Sequence, residues 1–274
     1  MGTLYIVPTP IGNLEDITLR ALRVLREVSL IAAEDTRTSG VLLKHYEIDT
    51  PQTSYHEHNK LGKLEAIFDA LAAGDVALIS DAGTPGISDP GYELINMAIE
   101  QGHRVEPLPG ANAIIPALVG SGLPTDSFIY AGFIPKKASA RAAFLVSLQG
   151  EARPVIVYES PHRLLATLAA IVDTLGADRP VCVARELTKR YEEFQRGPVA
   201  DVLAHYEANP PRGEITLVIG GVIRDDDAVW DAARVRAALQ ARIDAGESRS
   251  AAAKAVAAES GWKKRDIYAL DTPD

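Results

Sequence analysis

Short apolar runs alternate with amphipathic segments through the first hundred residues of the chain. Residues 4–9 have the β-rich pattern of a strand, and residues 16–28 carry apolar side chains at helical spacing behind Asp16, which is expected to cap that helix. Further strands are predicted at residues 29–34, 75–80 and 103–108, and further helices at 36–46, 63–74 and 91–102. This rhythm is typical of a parallel sheet covered by helices. The sequence therefore predicts an α/β fold with a mainly parallel first sheet.

The rhythm resumes after a Gly- and Pro-punctuated stretch at residues 116–127, which is predicted to be a connector. Strands are predicted beyond it at residues 128–133, 153–159, 179–186 and 213–221, with a helix at 161–176. Residues 189–199 read as an antiparallel hairpin arm, so the second sheet is expected to be mixed. We therefore expect two α/β domains, at residues 1–117 and 118–223, and a helical extension at residues 224–274.

The helical extension has two interpretations. Ala257, Gly261 and Ile267 match the small–turn–apolar spacing of a helix-turn-helix. Three basic residues stand where a reading helix would begin: Lys263, Lys264 and Arg265. A helical hairpin whose basic side chains are merely solvated explains the same pattern, and the sequence does not decide between the two.

Composition excludes several classes of protein. The chain has 274 residues, of which 47% are hydrophobic and 24% charged, as in ordinary soluble domains. No apolar run approaches the roughly 18 residues of a membrane span, and the N-terminus lacks the pattern of a secretory signal. We therefore expect a cytoplasmic protein with no membrane partner. The one cysteine, Cys182, excludes an internal disulfide and is expected to be a buried packing thiol rather than a nucleophile.

The formal net charge of −9 argues against a protein that binds nucleic acid indiscriminately. Basic residues nevertheless occur locally, at Lys136, Lys137 and Arg141. An acidic chain with basic patches is better suited to a selective polyanion site than to sliding on any duplex.

Five loops lie near the expected C-terminal ends of strands or between sheets, at residues 8–16, 33–40, 54–59, 80–91 and 107–113. In open parallel sheets, ligands bind at the edge where the strands end. The loop at residues 80–91 is longer and stiffer than a plain connection and is rich in Gly and Pro, so it is either a shaped ligand cradle or an elaborate turn. The dinucleotide fingerprint, the P-loop and the nucleophile elbow are all missing.

Four individual polar residues each allow two roles. His56 and His58 are two apart, so a strand would place both on one face, where they suit either a metal or hydrogen bonds to a substrate or loop. Arg37 suits a phosphate, or an ion pair with Glu34 or Asp35. Arg163, in the first turn of a predicted helix, suits an anion or the helix terminus itself.

Taken together, the loops carry a family resemblance between residue 4 and about residue 221. The motifs, in order, are YIVPTPIGNLEDITLRAL, AEDTRTSG, SYHEHN, ISDAGTPGISDPG, LPGANA, GFIPKK, YESPHR, ARELTK and RGEITLVIGG. With these motifs in this order the chain resembles the ribosomal RNA small subunit methyltransferase I family, the 16S rRNA cytidine 2′-O-methyltransferases of the tetrapyrrole methylase superfamily.

The resemblance implies S-adenosylmethionine (SAM) in a cleft between two α/β domains of a homodimer. It also implies that the partner is 16S rRNA or the small ribosomal subunit, methylated on a cytidine 2′-hydroxyl in the decoding region. Tetrapyrrole-modifying relatives carry an acid where this chain has Thr84, and Asp81 is expected to take over a polar role there. The remaining cofactor positions implied are Pro10, Ala82, Gly83, Ile87, Asn112, Ala113, Tyr158, Leu187 and Gly213.

A ribose hydroxyl is a weak acid, so a general base is expected to assist methyl transfer. The candidates are Glu34, His56 and Glu159, with His56 favoured because its pKa is naturally poised. Positioning alone, with proton loss to water, is the alternative. RNA contacts are expected from Arg37, His58, Lys136, Lys137, Arg163, Lys263, Lys264 and Arg265.

Three rival functions fit parts of the same pattern. A SAM-dependent methyltransferase for a small macrocycle or a protein would share the fold and the cofactor. A non-enzymatic sensor would dock nucleic acid through the C-terminal helices and bind a small molecule in the α/β body. A metal-dependent hydrolase would use His56 and His58.

Overall fold

The computed structural model describes residues 2–55, 60–222 and 230–270. The chain forms two compact units, at residues 1–221 and 222–274. The further division of the first unit after residue 117 stays a prediction.

The first part of the larger unit forms a parallel sheet. Its strands, within the described residues, are β1 (Thr3–Ile6), β2 (Leu30–Ala33), β3 (Gln52–Ser54), β4 (Val76–Ile79) and β5 (Arg104–Pro107). Its helices are α1 (Leu19–Glu27), α2 (Thr36–His45), α3 (Lys60–Ala73) and α4 (Tyr92–Glu100). The strand order is β3-β2-β4-β1-β5, and every pairing is parallel. The predicted parallel sheet is confirmed.

Strand β4 shows why this part of the chain folds as a three-layer unit. All four of its residues are buried, as expected for a central parallel strand covered on both faces. Ala77 and Ile79 belong to the hydrophobic core formed with α1 and α2, whereas Val76 and Leu78 belong to the core formed with α3 and α4. Because β4 also pairs in parallel with β1, the loops that follow these two strands leave the sheet side by side.

The second part of the larger unit forms a mixed sheet. Its strands, in the part of the chain described, are β6 (Ile129–Phe133), β7 (Val155–Glu159), β8 (Pro180–Arg185), β9 (Glu193–Pro198) and β10 (Ile215–Ile219). The order is β6-β7-β10-β8-β9, with β6 parallel to β7 and the other pairs antiparallel. The predictions of a mixed sheet and of an antiparallel arm at β9 are both confirmed.

Helices cover both faces of the mixed sheet. They are α5 (Ile114–Ser121), α6 (Ala138–Ser147), α7 (Pro161–Leu175) and α8 (Val199–Ala208). Side chains of α6, α7 and α8 pack on one face, and α5 packs on the other through Ala117 and Leu118 against Ile156, Cys182 and Val218. Cys182 is fully buried, and burial raises the pKa of its thiol to about 11. The prediction of a buried packing thiol is confirmed.

Two expectations about local structure were wrong, and strand β3 and two helices were not predicted. The first helix begins at Leu19, because Thr18 is its N-cap and accepts a 3.0 Å hydrogen bond from the Ala21 N–H, whereas Asp16 ends a short 3-10 helix. The stretch at residues 116–127 is not only a connector, since α5 extends into it as far as Ser121. Helices α6 and α8 were not predicted at all.

The smaller unit consists of α9 (Ala232–Asp244), α10 (Arg249–Ser260) and α11 (Lys264–Tyr268) within its described residues. Its own hydrophobic core contains Trp230, Val235, Leu239, Ala252, Ala253, Val256 and Ile267. Both the helix-turn-helix and the helical-hairpin interpretations stay predictions. In neither unit is any described helix long and apolar enough to span a membrane.

Candidate active site

The loop at residues 80–91, which we call the glycine-rich loop, is fixed to the loop after β1 by its backbone. Thr9 and Gly83 exchange two backbone hydrogen bonds of 2.9 Å, and the Thr9 hydroxyl donates to the Ser80 carbonyl at 2.9 Å. Gly83 has a φ of +81°, a conformation that favours glycine. The Thr84 hydroxyl donates to the carbonyl of Ala111 at 3.3 Å and so joins a third loop. Three loops at the sheet edge therefore form one backbone cradle.

A cleft of about 380 Å³ lies between this cradle and the mixed sheet. Nine residues that the sequence predicts as cofactor contacts line it: Ala82, Gly83, Thr84, Ile87, Asn112, Ala113, Tyr158, Leu187 and Gly213. The two others, Pro10 and Asp81, line a second cavity of about 320 Å³. Ile11 and Ala82 lie in the walls of both spaces, so the cleft and the second cavity adjoin.

Aromatic rings form the β6–β7 side of the cleft. The Tyr158 ring packs edge-on against Tyr130 and Phe133, with a centroid distance of 5.4 Å in each case. Burial raises the pKa of Tyr158, with a further contribution from Tyr130, so its hydroxyl stays neutral at physiological pH. The Tyr130 hydroxyl lies 2.6 Å from that of Ser88 in the glycine-rich loop. The two halves of the larger unit thus meet at the rim of the cleft.

The opposite end of the cleft is formed by a strained loop after β8. Glu186 and Thr188 have positive φ values of 52° and 64°, and Leu187 between them lines the cleft. The Glu186 carboxylate holds the turn together by accepting from the Glu214 N–H at 2.9 Å and from the Lys189 ammonium at 3.0 Å. A Cβ at Gly213, whose φ is +83°, would overlap that carboxylate. Glycine is therefore required at this edge.

Glu159, a predicted general base, lies in the wall of the cleft but is fully engaged. Its side chain is buried, and its carboxylate accepts from the Ser160 N–H at 2.7 Å and from the Thr167 hydroxyl at 2.5 Å. Arg163, predicted to contact RNA, forms an ion pair with it at 2.6 Å. This arrangement fixes the first turn of α7 beside the cleft. The carboxylate has little capacity left to accept a proton from a ligand.

Comparison with known proteins identifies the family. A family model of the Tetrapyrrole (Corrin/Porphyrin) Methylases matches residues 3–203, which is most of the chain. The chain belongs to the tetrapyrrole methylase family. The expected fold type is thereby confirmed.

Relatives of this methylase that are named ribosomal RNA small subunit methyltransferase I extend over nearly its whole length. The relative from Synechocystis sp. is 48% identical over 98% of this chain and 97% of its own. Those from Escherichia coli O157:H7 and Bacillus subtilis are 46% and 42% identical over 97% and 98% of this chain, and over 93% of their own chains. The recognised resemblance is confirmed.

Solved structures of other tetrapyrrole methylases share the fold at low sequence identity. A cobalt precorrin-4 methyltransferase superposes with a TM-score of 0.61 at 17% identity, covering 80% of this chain and 94% of its own. A uroporphyrin-III C-methyltransferase from Thermus thermophilus, complexed with S-adenosyl homocysteine, gives 0.54 at 18% identity, covering 80% and 97%.

Asp89 is a cleft residue of the methylase that the sequence did not single out. It lines the cleft and is partly buried. Burial and, to a smaller extent, the charges of Glu34 and Asp81 together raise its pKa to about 7, against a hydrogen bond with Ser80 that lowers it. A carboxyl group with a pKa near 7 suits proton transfer at neutral pH. The sequence shows an acid near the end of the glycine-rich loop, but it does not show that the fold partly buries this acid.

The two other predicted catalytic residues are Glu34 and His56. Glu34 does not line the cleft, and its carboxylate accepts from the Asp81 N–H at 3.2 Å. It therefore acts on the loop geometry and on the charge felt by Asp89. His56, and His58 among the predicted RNA contacts, lie outside the described residues.

The remaining predicted RNA contacts are basic and exposed. The Arg37 side chain is 90% exposed and is held at 2.7 Å by Asp35, whose pKa the guanidinium lowers to about 2. Lys136 and Lys137 are exposed in front of α6. In the smaller unit Lys263, Lys264 and Arg265 are also exposed, with the Lys264 ammonium 3.1 Å from the Ser250 hydroxyl. Arg37 thus lies in the first turn of α2, directly after the Asp35 N-cap.

Proposed function

We propose that this chain transfers a methyl group from SAM to a cytidine 2′-hydroxyl in the decoding region of 16S rRNA in the small ribosomal subunit. The observation that carries the proposal is the near-full-length similarity, at 42–48% identity, to relatives named ribosomal RNA small subunit methyltransferase I. The cleft supplies the place for the cofactor. Its volume of about 380 Å³ lies within the range of small-molecule sites.

The residues of the cleft fit SAM. Gly83 and Gly213 both have positive φ and present backbone, with no side chain, to the cleft. Asn112 and Thr84 offer polar groups on the side of the first sheet, and Leu187 offers an apolar surface on the side of the second. Such a mixture suits a cofactor with a charged amino-acid end, a ribose and a flat base.

When bound, SAM supplies an electrophilic methyl group on a sulfonium. The tasks left to the protein are in-line positioning of the acceptor oxygen and exclusion of water. The aromatic wall of Tyr158 and Phe133 serves the second task, because its rings cover one side of the cleft. Positioning falls to the backbone cradle, which three loops fix by hydrogen bonds.

Proton removal from the acceptor hydroxyl is assigned to Asp89. Its position in the cleft and its raised pKa support this role, whereas the hydrogen bonds and the ion pair of Glu159 favour a structural role there. The negative charges of Glu34 and Asp81 make the protonated state of Asp89 easier to reach after transfer. General-base assistance of this kind is worth about 100- to 10,000-fold in rate.

The proposed substrate determines which partners and which cellular location we expect for this protein. The ribosome places the enzyme in the cytoplasm, and a homodimer is the assembly implied by the family resemblance. Exposed basic side chains, Arg37 together with Lys136 and Lys137, are suited to the phosphates of rRNA. Weakened binding at high salt is the expected signature of these contacts.

Transfer of labelled methyl groups tests the proposal. Purified protein is incubated with methyl-labelled SAM and one of three acceptors: small subunits from cells lacking their own copy of the enzyme, free 16S rRNA, or uroporphyrinogen. Label in the RNA of either ribosomal acceptor supports the proposal. Label only in uroporphyrinogen or in ribosomal protein would replace it with the small-molecule or protein methyltransferase.

A further inference from the structure

The second cavity has no role in the proposed function so far. Its lining residues include Ile11, Leu14, Thr38, Val41, Asp81 and Ala82. These residues come from the loops after β1 and β4 and from α2, at the edge where parallel sheets bind ligands. An occupant of this cavity would lie beside the cleft, because Ile11 and Ala82 are shared. A methyl acceptor must lie beside the methyl donor, and this cavity satisfies that requirement.

One side of the second cavity is apolar. Leu14, Leu42 and Ile11 contribute aliphatic side chains, and Val41 adds one that is 65% exposed. An exposed valine on an otherwise polar helix face is free to contact the flat surface of a nucleobase. RNA-modifying enzymes commonly receive an unstacked base against apolar or aromatic side chains.

The other side carries an oriented acceptor. The Asp81 carboxylate is fixed by accepting the Asp35 N–H through Oδ1 at 3.0 Å, and the Asp81 N–H donates to Glu34 at 3.2 Å. A carboxylate has about four acceptor positions, so others remain for a ligand. Among the bases, cytosine presents a 4-amino donor that carboxylates accept, whereas uracil presents a carbonyl at the same position.

The charges around the second cavity complement a nucleotide. The exposed guanidinium of Arg37 precedes Thr38, which lines the cavity, and Asp35 holds it in place. An exposed cation next in sequence to a lining residue, together with a carboxylate in the lining, matches an anionic RNA backbone that carries an amino-bearing base.

We infer that the second cavity binds the cytosine of the acceptor nucleotide and that Asp81 reads its 4-amino group. This inference rests on the proposed function and assigns the base specificity of the same site. It also gives Asp81 a role in the acceptor subsite rather than in the cofactor cleft. Uridine at the target position places a carbonyl against the carboxylate and is rejected.

Two variants and two matched controls test the inference. Asp81→Ala removes the acceptor, and Thr38→Trp fills the cavity from an exposed helix position. Asp173→Ala and Lys44→Trp introduce the same two side chains at exposed positions that line neither the cleft nor the second cavity. Each protein is assayed for SAM affinity by calorimetry. Methyl transfer is then measured to small subunits that carry either cytidine or uridine at the target position.

The expected result separates the two functions of the site. Asp81→Ala lowers kcat/KM on cytidine subunits about 10- to 100-fold, the worth of a base-specific contact. It reduces the preference for cytidine over uridine to a few-fold. Thr38→Trp lowers transfer at least 10-fold, and all four variants retain SAM affinity within twofold. The controls methylate like the wild type.

Three other outcomes are decisive in different ways. Wild-type-like transfer and cytidine preference in Asp81→Ala would overturn the inference while leaving the proposed function intact. A large loss of SAM affinity in Asp81→Ala would also overturn it, by assigning Asp81 to the cofactor. A wild-type protein that methylates neither kind of subunit would contradict the proposed function, and the inference with it.

Discussion

The hydroxyl groups of Ser88 and Tyr130 lie 2.6 Å apart and join the glycine-rich loop to β6 of the mixed sheet. Ser88 is held with a φ of +61°, which few residues other than glycine adopt readily. Tyr130 in turn packs edge-on against Tyr158 in the cleft wall. A hydrogen bond that bridges the two sheets at the rim of the cleft links the loop geometry to the aromatic wall.

Removal of the Tyr130 hydroxyl is expected to weaken cofactor binding without unfolding the protein. Tyr130→Phe keeps the ring contact but releases Ser88, so we expect SAM affinity to fall about two- to tenfold, the usual net worth of one hydrogen bond. Calorimetric titration measures the change. Tyr191→Phe, at a tyrosine that is 65% exposed and lines no part of the cleft, is the control. Equal affinities for all three proteins would show that the bridge does not shape the site.

A side chain at Gly213 is expected to damage the cleft more than backbone strain alone explains. Gly213→Ala forces a positive φ on alanine and also places a Cβ against the Glu186 carboxylate. Gly122→Ala has the same φ penalty, since Gly122 has a φ of +75°, but its Cβ meets open space. We expect both variants to lose about 1 kcal/mol of unfolding free energy through strain. Only Gly213→Ala should lose SAM affinity, by at least tenfold.

Glu159 is expected to stabilise the fold rather than to perform catalysis. Glu159→Gln breaks an ion pair with Arg163 in which the carboxylate is fully buried, so we expect a loss of about 3 kcal/mol in unfolding free energy. Denaturant titration measures this loss. Below the unfolding transition, the single-turnover rate of methyl transfer should stay within about threefold of the wild type. A rate loss of 100-fold in a variant of normal stability would instead identify Glu159 as the base.

Asp89 is expected to set the pH dependence of methyl transfer. Because its pKa is raised to about 7, the active ionised form accumulates as the pH rises through 7, and the single-turnover rate should rise with it. Asp89→Asn should lower the plateau rate about 100- to 1,000-fold and remove this acidic limb. Asp126→Asn, at an exposed loop position, is the control. An unchanged pH profile in Asp89→Asn would assign the proton to another acceptor or to water.

The raised pKa of Asp89 also predicts how the stability of the fold depends on pH. A carboxyl whose folded-state pKa is about 7, against 3.8 when unfolded, binds its proton more tightly in the folded protein. Its ionisation therefore destabilises the fold progressively as the pH rises between those two values. The Asp89→Asn variant has no carboxyl group to ionise at this position. Thermal denaturation should therefore show that the stability of the variant, relative to the wild type, increases as the pH rises from 3.8 to about 7. A difference that does not change with pH would contradict the raised pKa.

Much of the fold follows from local pattern, and the exceptions have physical causes. Four of the five described strands of the first sheet and helix α7 were predicted because their apolar spacing is regular, whereas the short, polar β3 was not. Helix α5 was not, since Pro116, Gly120 and β-branched residues give it low intrinsic helix propensity. Packing of Ala117 and Leu118 on the mixed sheet stabilises it instead. Tertiary contacts of this kind are not visible in a local window.

The site was predictable where family motifs fix the backbone and less so where burial decides the chemistry. Nine expected cofactor contacts line one cleft, although their role stays a prediction. Pro10 and Asp81 line the adjoining cavity, a difference of side-chain direction that the loop sequence does not reveal. The raised pKa of Asp89 depends on Glu34 and Asp81 and on burial between loops that are distant in sequence.

The most direct test of the account is the chemical position of the transferred methyl group. Small subunits from cells lacking their own enzyme are methylated with purified protein and SAM. Their 16S rRNA is then digested to nucleosides and analysed by fragmentation mass spectrometry. The account predicts that the newly transferred methyl group is on the ribose of a cytidine, and that this product forms only when both SAM and enzyme are present. A newly transferred methyl group on a base or on another nucleoside, or no transfer to the RNA despite SAM binding, would contradict it.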